Sequence, residues 1–232
     1  MKRPSKKPEP QWPKERDLAR YDELAGFDIR KLLGDGGLWI EVGIGKSARP
    51  MRPLIGQPGV ELKAIAPHYR ALPKGISLTL GCVPDDHGFL VENRARARLV
   101  TDIFGAVSYC EDPVQALIYG ALLLGAGGVF VAFTELRRIG DLETWDRITQ
   151  FFHDRLHQQI AFQTVYVLGD ASRQFSTYLR IRIEGKAAGR AASATLFKDA
   201  QRKIGAPHRD QALWTSSDES AKIFRTRYLL PG

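Results

Sequence analysis

The chain has 232 residues, 44% of them hydrophobic, which is enough to bury one sizeable core and favours a single domain. Its two cysteines, Cys82 and Cys110, form no Cys-x-x-Cys pair and no His/Cys cluster of zinc-ligand spacing. A disulfide framework and a structural metal site are therefore not expected, and a reducing compartment, the cytoplasm, is. The net charge of +8 is concentrated at the ends: residues 1–20 carry +4, residues 185–232 carry +5 and residues 21–184 carry −1. Such basic ends either recruit a polyanion such as nucleic acid or serve solubility alone.

Residues 1–15, with four prolines, read as a basic proline-rich arm. No apolar segment follows it, and no run elsewhere is long enough to span a bilayer, so no membrane association is expected. From Arg16 to Leu33 the apolar positions Leu18, Tyr21, Leu24, Ala25, Phe27 and Leu32 follow helical spacing until Gly34, Gly36 and Gly37, which predicts one leading helix.

"LWIEV" (38–42) is apolar, β-rich and closed by glycine, and reads as a buried strand. "GVELKAIA", "GISLTLG", "ARLVTDIFG" and "GGVFVAF" follow as further strands, with helical segments between most of them. In "DPVQALIYGALLLGAGG", Asp112 is the expected cap, Pro113 takes the first helical position and Gly125 to Gly128 end the helix. Strand-helix alternation of this kind argues for a parallel sheet covered on both faces. After a helix over about 142–157, "AFQTVYVLG" and "FSTYLRIRI" flank the polar turn "DASRQ" and predict an antiparallel hairpin at a sheet edge. The domain thus spans 16–184. Residues 185–232, with a helix around Leu196, Phe197, Ala200 and Ile204, form a basic extension packed on it.

The segment 38–50, "LWIEVGIGKSARP", fits parts of three nucleotide-site signatures. A phosphate loop needs a glycine five positions before Gly45, but Ile40 stands there, inside the strand, so Gly45-Lys46-Ser47 is fortuitous. Gly43-x-Gly45-x-x-Ala48 satisfies the dinucleotide fingerprint, which also needs an acid ending the second strand. That strand ends in Ile65-Ala66-Pro67, which disfavours an NAD-dependent oxidoreductase. The third signature turns on Glu41, two residues before Gly43 in a buried strand, where a carboxylate is costly unless paired or facing a ligand.

Glu41-x-Gly43-x-Gly45 resembles motif I of the class I S-adenosylmethionine-dependent methyltransferases. The segment 97–133 and the terminal hairpin are similar to the family's later strands and reversed last pair. The resemblance implies a seven-stranded, mostly parallel α/β sheet with helices on both faces and a C-terminal antiparallel hairpin. It also implies S-adenosylmethionine as cofactor, held by Glu41, Gly43, Ile44, Gly45, Ala66, His68, Cys82, Val83 and Asp102. Ser47 replaces the third glycine of the motif, Ala66 stands where a ribose-binding acid is usual, and Cys82 stands where an adenine-side Asp is common. The ribose and adenine would then be held by backbone groups or by His68, Asp85 or Asp86, and a catalytically degenerate binding protein with this fold is the alternative. Gly43→Val is expected to abolish cofactor binding with the fold intact.

Ligands of such sheets lie at the carboxyl ends of the strands. Asp102, ending the fourth, is placed either to orient or deprotonate a methyl acceptor or to cap the next segment. Tyr109 could meet substrate or pack on its own domain. Arg94, Arg96 and Arg98 read as a solvated rim, and His87 is a weak acid/base candidate. The methyl acceptor is not legible, beyond the tilt of the basic ends toward RNA or another polyanion.

Overall fold

A computed structural model describes residues 17–44, 48–68, 71–168, 175–185 and 193–204. The N-terminal arm, the turn 170–174 and the chain after Ile204 lie outside the described residues. The leading helix is broken into α1 (Leu18–Ala25) and α2 (Ile29–Leu32). Gly26, at φ 80°, ends the first, and the Asp28 side chain starts the second by accepting from the Lys31 N–H. The apolar pattern runs on across this break, but local chemistry decides it. A left-handed glycine followed by an aspartate cap stops one helix and begins another.

Seven described strands form one sheet: β1 (Gly37–Val42), β2 (Val60–Ala66), β3 (Ile76–Leu80), β4 (Ala97–Ile103), β5 (Leu124–Glu135), β6 (Gln158–Leu168) and β7 (Phe175–Gly185). Their order is β3-β2-β1-β4-β5-β7-β6. Strands β1 to β5 pair in parallel, and β7 runs antiparallel to both β5 and β6. This is the α/β architecture with a reversed terminal pair expected from the sequence. Strand β5 begins at Leu124, ahead of the glycines expected to separate it from the helix, and its register against β4 slips between Leu124 and Val129. The glycine-rich segment 125–128 is the slip. A Cβ on Gly128 would run into the Ala97 carbonyl oxygen.

The helices are α3 (His87–Asn93), α4 (Ala106–Tyr109), α5 (Pro113–Leu123), α6 (Leu142–Phe151), which widens into a π turn over Phe152–Leu156, and α7 (Ser193–Ile204). Asp112 caps α5 by accepting from the N–H groups of Val114 and Gln115. Between β1 and β2 stands a short 3-10 turn, Arg52–Leu54. Alternate residues of the central strands feed two cores. Ile40, Val42 and Val100 meet Leu117 and Leu196, while Trp39, Leu62, Leu99 and Ile103 meet Leu24, Ile29, Leu33 and Met51. Burial on both faces is what makes these strands read as continuous apolar runs.

Two arginines fasten the leading helices. Arg180 of β7 donates from Nε to the Leu24 carbonyl (2.6 Å) and from Nη2 to that of Glu23 (2.9 Å), satisfying carbonyls that end α1. Arg98 of β4 donates from Nε to the Leu32 carbonyl at the end of α2 (3.0 Å). Arg96 instead pairs with Glu61 at 3.3 Å. These arginines stand at the start of β4, across the sheet from the strands' carboxyl ends. Among the described residues no helix is long and apolar enough to cross a membrane.

Candidate functional site

The carboxyl ends of β1 and β4 meet by backbone. After Val42 the chain turns at Gly43, φ 79°, whose N–H donates to the Ile65 carbonyl at 2.9 Å. A Cβ on Gly43 would stand 2.8 Å from the Cα of Gly105, the residue that turns the chain after β4. A Cβ on Gly105 would in turn collide with the Val42 carbonyl oxygen. The two glycines therefore let two turns touch, and Phe104, at φ 56°, carries the sharp exit from β4. Ile44 follows, buried, while Gly45 lies outside the described residues.

Glu41 is wholly buried beneath this turn. Its Oε1 accepts from the Tyr21 hydroxyl of α1 at 2.7 Å, and its Oε2 accepts from the Thr101 hydroxyl of β4. The Trp39 indole N–H donates to Thr101 Oγ1 at 2.7 Å. Both of these partners of the carboxyl are neutral hydroxyls. Burial pushes the carboxyl up to about 8, against the two hydrogen bonds that lower it, and nearby Asp102 adds to the rise.

Asp102 is also buried, and its oxygens accept from the N–H groups of Gly105 (2.9 Å) and Val107 (3.1 Å). It thus caps the segment that enters α4, the arrangement of the second of its two expected roles. Burial raises its carboxyl to about 7, despite those backbone N–H bonds. The same segment is held from the far side by Arg138, which is buried and donates from Nε to the Val107 carbonyl (3.1 Å) and from Nη2 to that of Cys110. The Ser108 hydroxyl donates to Thr134 Oγ1 at 2.9 Å. The loop after β4 is therefore fixed at several points, with Tyr109 half-buried on it.

The ends of β2 and β3 lie side by side, joined by the Gly81 N–H to the Ala66 carbonyl at 3.0 Å. Ala66 and Val83 are buried, while His68 and Cys82 are half-buried. Burial, then Asp85 and Asp86, raises the Cys82 thiol. Asp86 caps α3 by accepting from the Phe89 N–H at 2.8 Å, and its backbone carbonyl accepts from the Tyr119 hydroxyl at 2.7 Å. His87 is exposed beside it. The expected residues thus form two groups, Glu41–Ile44 with Asp102 on β1 and β4, and Ala66–His68 with Cys82–Val83 on β2 and β3. Sequence reasoning missed Tyr21, Thr101 and Arg138, whose partners lie 20, 60 and 28 to 31 positions away. A polar residue on an otherwise apolar helix face or strand was the available signal.

No protein-family model matches the chain, and no curated protein does. Among solved structures it is similar to the Burkholderia thailandensis 1,6-didemethyltoxoflavin-N1-methyltransferase, bound to 1,6-didemethyltoxoflavin and S-adenosylhomocysteine. That likeness covers 73% of this chain and 80% of the other at 13% identity and TM-score 0.51. A 16S rRNA (adenine(1408)-N(1))-methyltransferase from Catenulisporales acidiphilia matches over 75% of this chain and 96% of its own, at 14% identity and TM-score 0.45. The Geobacter metallireducens precorrin-6y C5,15-methyltransferase matches over 65% and 80%, at 14% identity and TM-score 0.42. With β7 inserted antiparallel between β5 and β6, the chain has the fold of the class I S-adenosylmethionine-dependent methyltransferases.

Proposed function

We propose that this chain is an S-adenosylmethionine-dependent methyltransferase whose cofactor lies over the carboxyl ends of β1, β2, β3 and β4. The observation that carries the reading is the sheet order with its reversed β7, together with a glycine turn at the end of β1 that abuts the turn after β4. The residues present fit the cofactor through small side chains and backbone. Gly43 and Ile44 would face its amino-acid end, Ala66 and His68 its ribose, and Cys82 and Val83 its adenine. The cofactor supplies an already activated methyl group, so the protein's part is positioning. Asp102 and Arg138 perform it by fixing the loop after β4, the side from which an acceptor approaches.

A second reading, a binding protein with this fold and no methyl transfer, is favoured by two observations. Ala66 offers no carboxylate to a ribose, and both oxygens of Glu41 are already engaged. Calorimetric titration with S-adenosylmethionine, S-adenosylhomocysteine and NAD in parallel separates the two. Micromolar binding of the first two and none of NAD is expected, and binding of none would transfer the assignment to the second reading.

For the acceptor we favour RNA or another polyanion, because the net +4 and +5 of the chain ends flank a nearly neutral domain. Removing residues 1–15 is expected to weaken nucleic-acid binding and to flatten its dependence on salt. Equal affinity and slope in the shortened chain would remove the arm from the function.

A further inference from the structure

The cluster Tyr21, Trp39, Glu41 and Thr101 is left unused by that reading. It lies on the α1 side of the sheet, opposite α5 and α7. Each hydrogen bond in it points toward one carboxyl: the indole of Trp39 donates to Thr101, Thr101 to Glu41, and Tyr21 to Glu41. Trp39 is wholly buried and Tyr21 nearly so, with their rings 6.4 Å apart. The Tyr21 bond joins α1 to β1, and the Thr101 bond joins β1 to β4. Arg180 ties the helix to the sheet separately, at the C-terminus of α1.

We infer that Glu41 is the anchor of α1: its carboxyl clasps the helix to β1 and β4 through Tyr21 and Thr101, and it does not contact the cofactor's amino-acid end, which falls to the backbone of the turn that follows. The placement supports this. A carboxyl with no exposed surface cannot meet a ligand unless the turn above it lifts. An apolar residue would fill the same space more cheaply, so a buried acid held by two hydroxyls is a specific fastening rather than packing. Tyr21 is a positioning residue in this scheme, because it acts through Glu41.

The test is hydrogen exchange over residues 18–33, compared in the full chain and in its Tyr21→Phe and Glu41→Gln variants. Phe keeps the ring and loses the hydroxyl, and Gln keeps the shape and loses the acid. Tyr21→Phe is expected to speed exchange in this segment by about tenfold while residues 113–123 are unaffected. Glu41→Gln should shift the Trp39 indole N–H resonance yet leave S-adenosylhomocysteine affinity within about threefold of the native chain. Exchange over 18–33 that is unchanged in Tyr21→Phe, or a loss of affinity of about tenfold confined to Glu41→Gln, would overturn the inference. A native chain that binds no S-adenosylhomocysteine would sink the methyltransferase reading alone, because the exchange comparison needs no ligand.

Discussion

Gly43→Val is expected to destabilise the fold by about 3 kcal/mol or more, in addition to any effect on a ligand. Two costs add. The backbone at Gly43 sits at φ 79°, a conformation that a β-branched residue resists. Its Cβ would also stand 2.8 Å from the Gly105 Cα, an atom of main chain that cannot swing aside. Gly105 is itself wedged against Val42 and Asp102, so yielding there would disturb the cap on the loop after β4. Gly56 separates the two costs, since its φ is 78° and nothing lies within 4 Å of the Cβ it would gain. Gly56→Ala should therefore cost about 1 kcal/mol, the conformational part alone. Urea denaturation of the three proteins measures this. A Gly43→Val midpoint equal to that of the native chain, with S-adenosylhomocysteine binding gone, would mean that this glycine serves the ligand alone and not the contact between the two turns.

The same glycine marks how far a sequence can be read. Its special backbone was legible, because a glycine closing a buried apolar strand signals a turn. What the missing side chain makes room for was not, since Gly105 lies 62 positions away. The strands were legible because burial on both faces leaves little choice but Val, Ile, Leu and their like. The break in the leading helix was missed because the apolar period from Leu18 to Leu32 continues across Gly26, although Gly26 and Asp28 together spell a stop and a start. The start of β5 was misplaced because glycine is an ordinary helix terminator, and its use as a register slip depends on the Ala97 carbonyl of a neighbouring strand. In the site, Glu41 stood out as an acid where acids are costly. Its partners could not be read, since a tyrosine at helical spacing and a threonine in a strand look like ordinary core-facing residues until the sheet brings them together. Asp102 posed a two-way choice in the sequence, and the N–H groups of Gly105 and Val107 now account for both of its oxygens.

Glu41 and Asp102 together set the expected pH dependence of stability. Burial raises the first from 4.5 to about 8 and the second from 3.8 to about 7. In the unfolded chain both return to ordinary values, so between about pH 4 and about pH 8 the native state binds more protons than the unfolded state. The sign follows: the contribution is fully present below the unfolded values and is lost as pH rises through the folded ones. Each group adds a slope of at most about 1.4 kcal/mol per pH unit, and the two reinforce each other because ionising either disfavours ionising its neighbour. The melting temperature should then fall, by an amount on the order of 10 °C, between about pH 6 and about pH 8, opposite to the trend given by carboxylates held in surface ion pairs. Glu41→Gln should remove the upper part of this slope and Asp102→Asn the lower part, and the double variant should be nearly flat. A native melting temperature that stays level or rises across that window would mean that both carboxyls are ionised in the fold. The hydroxyls of Tyr21 and Thr101 and the N–H groups of Gly105 and Val107 would then be stabilising two buried charges.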